Sequence, residues 1–318
     1  MSGSTNRRSV LITGCSQGGT GNALALEFAA RGLRVFATAR SLKSVANLSE
    51  KGIEIFALDV TSSESITLLK QEITKRTGGK LDILFNNAGI SKLSLFTNHC
   101  VVYEAPAIEP DPHQVRKMFD TNVFGLFDVV ATFAPLLIAA VSGSNTAPMI
   151  VNVASIVARI PFPFSAAYNA SKAAVSSYSD TLRLELSPVG VRVTTIFMGE
   201  VSTRLMSQDN ISFEEESLYA DIEHKVKERS VQHAKASMTP DVFSKQVVSQ
   251  ILSDNNVSYI WRGTNAFLIW LLNAFGPRKV FDSIMKSSVG LNDTALVKKV
   301  YERGQRLAAS LRQDKLAG

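Results

Sequence analysis

Ser9-Val10-Leu11-Ile12, running straight into Thr13-Gly14-Cys15-Ser16-Gln17-Gly18-Gly19-Thr20-Gly21, is the stretch that decides the fold. The first four residues form an apolar run of strand length. The next nine carry four glycines, and Asn22 to Ala30 continues as a helix-like stretch. A glycine-rich turn between a strand and a helix lets backbone N–H groups approach a pyrophosphate at the positive helix end. An ordinary tight turn is the competing reading, and the order strand, turn, helix favours the phosphate-binding one.

The rest of the chain continues the same alternation. Arg34–Ala39, Ile53–Asp59, Leu81–Asn86, Met149–Ser155, Val191–Phe197 and Val257–Trp261 are apolar, β-branched runs. Between them, Ser62–Thr77, His113–Ala140 and Ala166–Ser187 have helical spacing. Such alternation predicts an α/β fold, a doubly wound, Rossmann-like parallel sheet covered by helices on both faces. Pro135 and Pro188 fit a kink or a helix end rather than a domain boundary. The expected organisation is one unit over residues 8–263 and an apolar and basic C-terminal helical extension over 264–318.

Chemistry enters with Tyr168-Asn169-Ala170-Ser171-Lys172 and, upstream, Ser155. On a helix, positions i and i+4 share a face, so the Tyr168 hydroxyl and the Lys172 ammonium can enter one cleft. An isolated tyrosine has a pKa near ~10. A neighbouring ammonium stabilises the phenolate and brings it toward the working range of an acid/base. Ser155 ends an apolar run, which places its hydroxyl at a strand tip facing the same cleft. A Tyr-x-x-x-Lys spacing by itself is usually a surface pair, so its weight comes from the motifs in register with it.

Taken together these residues resemble the short-chain dehydrogenase/reductase family over about residues 8 to 263. Thr13-Gly14, Gly18, Gly19 and Gly21 match its cofactor turn, with one extra residue and with Thr20 where isoleucine is usual. Asn86-Asn87-Ala88-Gly89 matches the segment after the fourth strand, and Asn122 in Thr121-Asn122-Val123 matches the structural and catalytic asparagine. Met198-Gly199-Glu200-Val201-Ser202-Thr203 matches the nicotinamide segment, with methionine replacing proline. The resemblance implies seven strands in the order 3-2-1-4-5-6-7 and a catalytic tetrad of Asn122, Ser155, Tyr168 and Lys172. It implies cofactor contacts at Gly14, Ser16, Gly18, Gly19, Gly21, Asp59, Val60, Asn87, Ala88, Tyr168, Lys172, Val201 and Thr203.

Cofactor choice turns on the end of the second strand, where Ala39 is followed by Arg40. An acidic residue there would bind both ribose hydroxyls of NAD, whereas a guanidinium can pair with the 2′-phosphate of NADP. The expectation is NADP(H), with ketone reduction as the direction. Ser155 and Tyr168 would hold the carbonyl, Tyr168 would donate the proton, and Lys172, with a water held by Asn122, would refill it.

Composition fits such an enzyme: 318 residues at 45% hydrophobic content can bury one large core. Cys15 and Cys100 form no disulfide framework, which points to a reducing, cytoplasmic setting. His99, His113, His224 and His233 show no metal-ligand spacing and are expected in loops or at the surface, and no metal is expected. Ile90 to Thr121, including Leu93-Ser94-Leu95-Phe96 and Val101-Val102-Tyr103, is longer than the family pattern and favours a lid or pocket wall. Ser202–Lys235 would cover the substrate, with Phe213, Leu218, Tyr219 and Val226 as its apolar face.

Asn265–Phe275 is strongly apolar but falls short of the ~20 residues that span a bilayer. Beyond Val257, ten basic residues face four acidic ones. Residues 265–286 could therefore lie on an anionic membrane surface, as at the endoplasmic reticulum or lipid droplets. The alternatives are a cover over the cleft and a contact within a homo-oligomer. Nucleic acid is not an expected partner, because the charges are not interleaved with aromatic platforms.

The tail, Ala39-Arg40 and Phe162-Pro163-Phe164 resemble a fungal subgroup of the family. That subgroup includes 1-acyl-dihydroxyacetone-phosphate reductase and ketoreductases of secondary metabolism. The resemblance implies reduction of a ketone on a hydrophobic substrate, polyketide-type or lipid. A non-catalytic NADP-sensing regulator on the same fold would need a degraded tetrad, and all four positions are intact.

Overall fold

The computed structural model describes residues 7–89, 92–93, 100–101, 104–143, 146–202, 211–253 and 256–317. Seven parallel strands form one sheet: β1 (Ser9–Ile12), β2 (Arg34–Ala39), β3 (Glu54–Ala57), β4 (Ile83–Asn86), β5 (Met149–Val153), β6 (Arg192–Met198) and β7 (Tyr259–Arg262). In this numbering their spatial order is 3-2-1-4-5-6-7, as expected. The strand order reverses direction at β1, which pairs parallel with both β2 and β4. The crevice at that switch point, beyond the carboxyl ends of the strands, is where open α/β sheets bind ligands.

Strand alternation supplies both faces of the sheet. Val10 and Ile12 pack with Leu24, Phe28, Phe243, Val247 and Ile251 on one side. Leu11 points the other way, into a core with Leu69, Ile73, Val130, Phe133 and Leu182. The first layer comprises helices α1 (Thr20–Ala30) and Pro240–Ser253. The second comprises Ser63–Thr77, Gly125–Ala140 and Ala166–Leu186. Pleated side chains of period two therefore bury the central strands on both faces, whereas the edge strands β3 and β7 stay partly exposed.

Several expected boundaries shift. The third strand ends at Ala57 rather than Asp59, and the fifth at Val153 rather than Ser155. The single helix expected over His113–Ala140 begins at Pro112, after Asp111 caps it by accepting the His113 amide at 2.8 Å. It is then interrupted by a π-helical turn over Asp120–Phe124. Pro135 lies inside the helix that runs on to Ala140, whereas Pro188 does mark an end, in a 3-10 turn after Leu186. Within the expected loop 90–121, Lys92–Leu93 pairs antiparallel with Cys100–Val101. Leu95, Phe96, Val102 and Tyr103 lie outside the described residues.

Beyond β7 the chain forms helices Ala266–Phe275, Asp282–Ser287 and Thr294–Ala317. The first packs Ala266 and Ile269 onto Ile156, Ile160 and Phe281. Farther on, Val289, Leu291, Leu296 and Val300 pack with Phe164, Phe213, Ile222 and Val226. Lys299 and Arg303 both pair with Asp221, at 3.0 and 2.9 Å. Part of the basic tail is thus tied to the segment that follows β6.

Candidate active site

The glycine turn is held open by its neighbours. Gly14 has φ +74°, and a Cβ there would lie 2.8 Å from the Cα of Ala88. Glycine is the residue that permits both this conformation and this approach. Asn87 braces the turn: its Nδ2 donates to the carbonyls of Thr13 and Gly14 at 3.0 and 2.9 Å, and its Oδ1 accepts from Thr20 Oγ1 at 3.0 Å. Thr13 Oγ1 in turn accepts the amides of Asn87 and Ala88, at 3.1 and 2.9 Å. Asn87 and Ala88, expected as cofactor contacts, therefore act first as the scaffold of the turn.

Gly19 precedes α1 and no side chain caps the helix, nor does its first turn hold an acidic residue. The first N–H groups of this helix are free to receive an anion. Ser16, Gln17 and Gly18 are exposed at its mouth, with Ser16 Oγ 3.2 Å from Ser44 Oγ. Cys15 lies beneath, fully buried, and burial pushes its thiol up to about 12, so it is inert. This uncapped cradle fits the pyrophosphate of a dinucleotide.

Arg40 is exposed just past the end of β2, and nothing among the described residues pairs with its guanidinium. Asp59 Oδ1 accepts from the amide and hydroxyl of Thr61, at 3.0 and 2.7 Å, which turns that carboxylate toward its own loop. Val60 is buried, and its carbonyl would lie 2.6 Å from a Cβ on Gly125. Both stand on the loop beyond β3 rather than on the strand itself.

The tetrad assembles at the same end of the sheet. Asn122 sits in the π-helical turn, buried, and donates to Ser171 Oγ at 3.1 Å. Such turns swing one residue out of helical register, often at functional sites. Lys172 is only 5% exposed and donates to the carbonyl of Val153 at 2.9 Å, two residues before Ser155. Its Nζ is 5.9 Å from the Tyr168 ring centre. A Cβ on Gly89 would lie 3.4 Å from both Asn122 Oδ1 and Lys172 Nζ, so these two groups face one small space. Ser155 Oγ donates to the carbonyl of Met198 at 3.2 Å.

Met198 is where the family pattern has proline, and here backbone pairing holds the segment in place. Glu200 and Thr264 exchange both backbone hydrogen bonds at 3.1 Å. Val201 bridges to Met238, and the Ser202 amide donates to the Met238 carbonyl at 2.8 Å. Thr203, the expected contact beyond it, lies outside the described residues.

A buried ion pair against Phe162 and Pro163 was not anticipated. Arg229 donates to Glu104 at 2.5 Å, with side chains 2% and 5% exposed. Arg229 also donates to the Pro163 carbonyl at 3.2 Å and lies 4.2 Å over the Phe162 ring. Ala105 donates its amide to Phe164, whose φ of +64° marks a strained turn. Burial pushes the Glu104 carboxyl up to about 7, against the opposing pull of Arg229. His233, expected at the surface, instead packs 5.8 Å from Phe162, and burial holds its pKa below the usual value. Phe213 and Val226, expected to face substrate, are buried against Phe164 and Val289. Glu104 and Arg229 stand 125 residues apart, and no local pattern links them.

Comparison with known proteins agrees with this geometry. The family model described as short chain dehydrogenase matches residues 8–212. A Neurospora crassa protein named short-chain dehydrogenase srdE is 38% identical over 297 residues, covering 91% of this chain and 97% of that protein. The NADPH-dependent 1-acyldihydroxyacetone phosphate reductase of Schizosaccharomyces pombe is 46% identical over 199 residues, covering 63% of this chain and 62% of its own. The solved structure of ElxO with NADP bound matches with a TM-score of 0.61 at 25% identity, covering 80% of this chain and 96% of that one.

Proposed function

The chain belongs to the short-chain dehydrogenase family, and from that premise we propose that it is an NADPH-dependent reductase of a ketone on a hydrophobic substrate. The observation that carries this reading is the buried Lys172 ammonium, held by the Val153 carbonyl beside the Tyr168 ring and across from Asn122. Bound NADPH would supply the hydride to the carbonyl carbon. Ser155 and the Tyr168 hydroxyl would hold the carbonyl oxygen, and Tyr168 would deliver its proton as charge develops there. Lys172 would place a positive charge beside the phenol, and a water in the space it shares with Asn122 would return the proton to Tyr168. The uncapped N-terminus of α1 would hold the pyrophosphate, and Arg40 the 2′-phosphate.

Two substrate classes divide the support. The near full-length match is to a Neurospora relative named as a short-chain dehydrogenase and not as a lipid reductase, which leaves room for a specialised ketone, such as one of polyketide type. The higher identity over a shorter span favours a 1-acyl-dihydroxyacetone phosphate. NADPH consumption by the purified protein with apolar cyclic and aryl ketones, and separately with the acyl ketone phosphate, distinguishes them. Turnover is expected with at least one class. NADPH binding with no turnover of either would make the protein a cofactor sensor and overturn the proposal.

A further inference from the structure

The helix Ala266–Phe275 has one partnered face and one open one. Ala266 and Ile269 are buried against Ile156, Ile160 and Phe281, which fixes its orientation on the domain. Its other side exposes Phe267 at 68% and Phe275 at 79%, together with Leu268, Trp270 and Leu271. The outward face of a surface helix is ordinarily polar, and this one holds no charged residue across its ten positions. The rings form a cluster, with Trp270 5.6 Å from Phe267 and 6.5 Å from Phe275. Ile284 extends the apolar surface into the next helix.

Directly after this helix come Arg278, Lys279 and, on the next helix, Lys286, all exposed and none in an ion pair among the described residues. Asp282, half-buried, is the acidic residue among them. Lys299 and Arg303 differ, because Asp221 holds both. An apolar, aromatic face beside unpaired cations suits an anionic lipid surface. A second copy of the chain suits it less. A two-fold contact would set the same patch against itself, bringing Arg278 and Lys279 toward their own counterparts. The helix is too short to span a bilayer, for which ~20 residues are needed.

We infer that the outward face of Ala266–Phe275, flanked by Arg278, Lys279 and Lys286, docks the protein on the surface of an anionic phospholipid membrane. The experiment is co-sedimentation of the full-length protein with vesicles of phosphatidylcholine, with and without phosphatidylserine. Binding is expected on the serine-lipid vesicles, weakening but persisting as salt rises, because salt screens only the basic part. Phe267→Asp/Leu271→Asp, at exposed positions, should keep the melting temperature and weaken binding about ten-fold or more. Arg278→Ala/Lys279→Ala should weaken binding to the anionic vesicles by roughly 25-fold, about five-fold for each basic residue near the surface. It should leave any residual binding to phosphatidylcholine unchanged. Failure of the full-length protein to bind anionic vesicles at low salt overturns the inference, as does unchanged binding by either variant. Light scattering that shows Phe267→Asp/Leu271→Asp splitting a dimer would also overturn it and assign the face to a second copy.

Discussion

Arg229→Met removes the cation from a pair that the structure has almost wholly withdrawn from water. Arg229 and Glu104 are 2% and 5% exposed and meet at 2.5 Å. Breaking such a pair from one side leaves the other charge buried and costs about 3–5 kcal/mol. The size of that cost depends on pH, because the surviving acid can escape it by taking a proton. In the wild-type protein burial already lifts Glu104 from 4.5 to about 7 while Arg229 pulls it down. Without Arg229 it must rise further.

The direction follows from linkage. A carboxyl whose folded pKa lies above its unfolded value contributes its full stability below the unfolded value, and loses it as pH rises through the folded one. For wild-type Glu104 that window runs from 4.5 to about 7. In Arg229→Met it extends above 7, at about 1.4 kcal/mol per further unit. Chemical denaturation followed by circular dichroism should therefore show a deficit of about 1.5–3 kcal/mol at pH 5, growing by about 1.4 to about 3–4.5 kcal/mol at pH 8. Arg229→Met/Glu104→Leu, which replaces both charges with apolar groups, should recover most of the loss at pH 8. A deficit below about 1 kcal/mol at pH 8, or a double variant as unstable as the single one, would refute the reasoning. Because the pair grips Phe162 and Pro163 ahead of Tyr168, KM for the ketone should also rise while NADPH affinity holds.

Three further outcomes test the cleft. Tyr168→Phe keeps the ring but removes the proton donor, so NADPH should still bind while turnover falls by ~10²–10⁴; activity within twofold of wild type would assign the proton to another group. Arg40→Ala should weaken NADPH by about 1.5–3 kcal/mol and NADH far less, as read from paired titrations. Asn87→Ala deletes the bonds to Thr13, Gly14 and Thr20 and should lower both thermal stability and NADPH affinity, by about 1–3 kcal/mol.

What could be read in the chain and what could not divide along physical lines. The turn from Thr13 to Gly21 was legible because a strand, a run of glycines and a helix are written side by side, and backbone geometry needs only those neighbours. Asn122, Ser155, Tyr168 and Lys172 could be singled out for the same reason, each sitting in a short motif. Strand ends were less so. β3 is an edge strand, paired only with β2 among the described residues, and its ladder stops at Ala57 although Leu58 and Val60 beyond it are apolar. The π-helical turn around Asn122 left no mark, because the residues over 113–140 keep helical spacing straight through it.

Long-range pairing is where sequence reading ends. An acid and a base 125 residues apart have no period and no spacing to betray them, so Glu104 and Arg229 resembled any other surface charges until the fold buried them together. His233 was misjudged in the same way, since only the packing of Phe162 draws it inward. The tail shows the limit from the other side. Its summed charge suggested one diffuse basic field, but Asp221 holds Lys299 and Arg303 while Arg278 and Lys279 have no ion pair among the described residues. Net charge therefore overstates what a surface can attract, and the residues available to a partner are those the fold has left without one. For this tail that narrows the attraction to the few cations beside Phe267, Trp270 and Phe275, where apolar area and charge can act on the same surface.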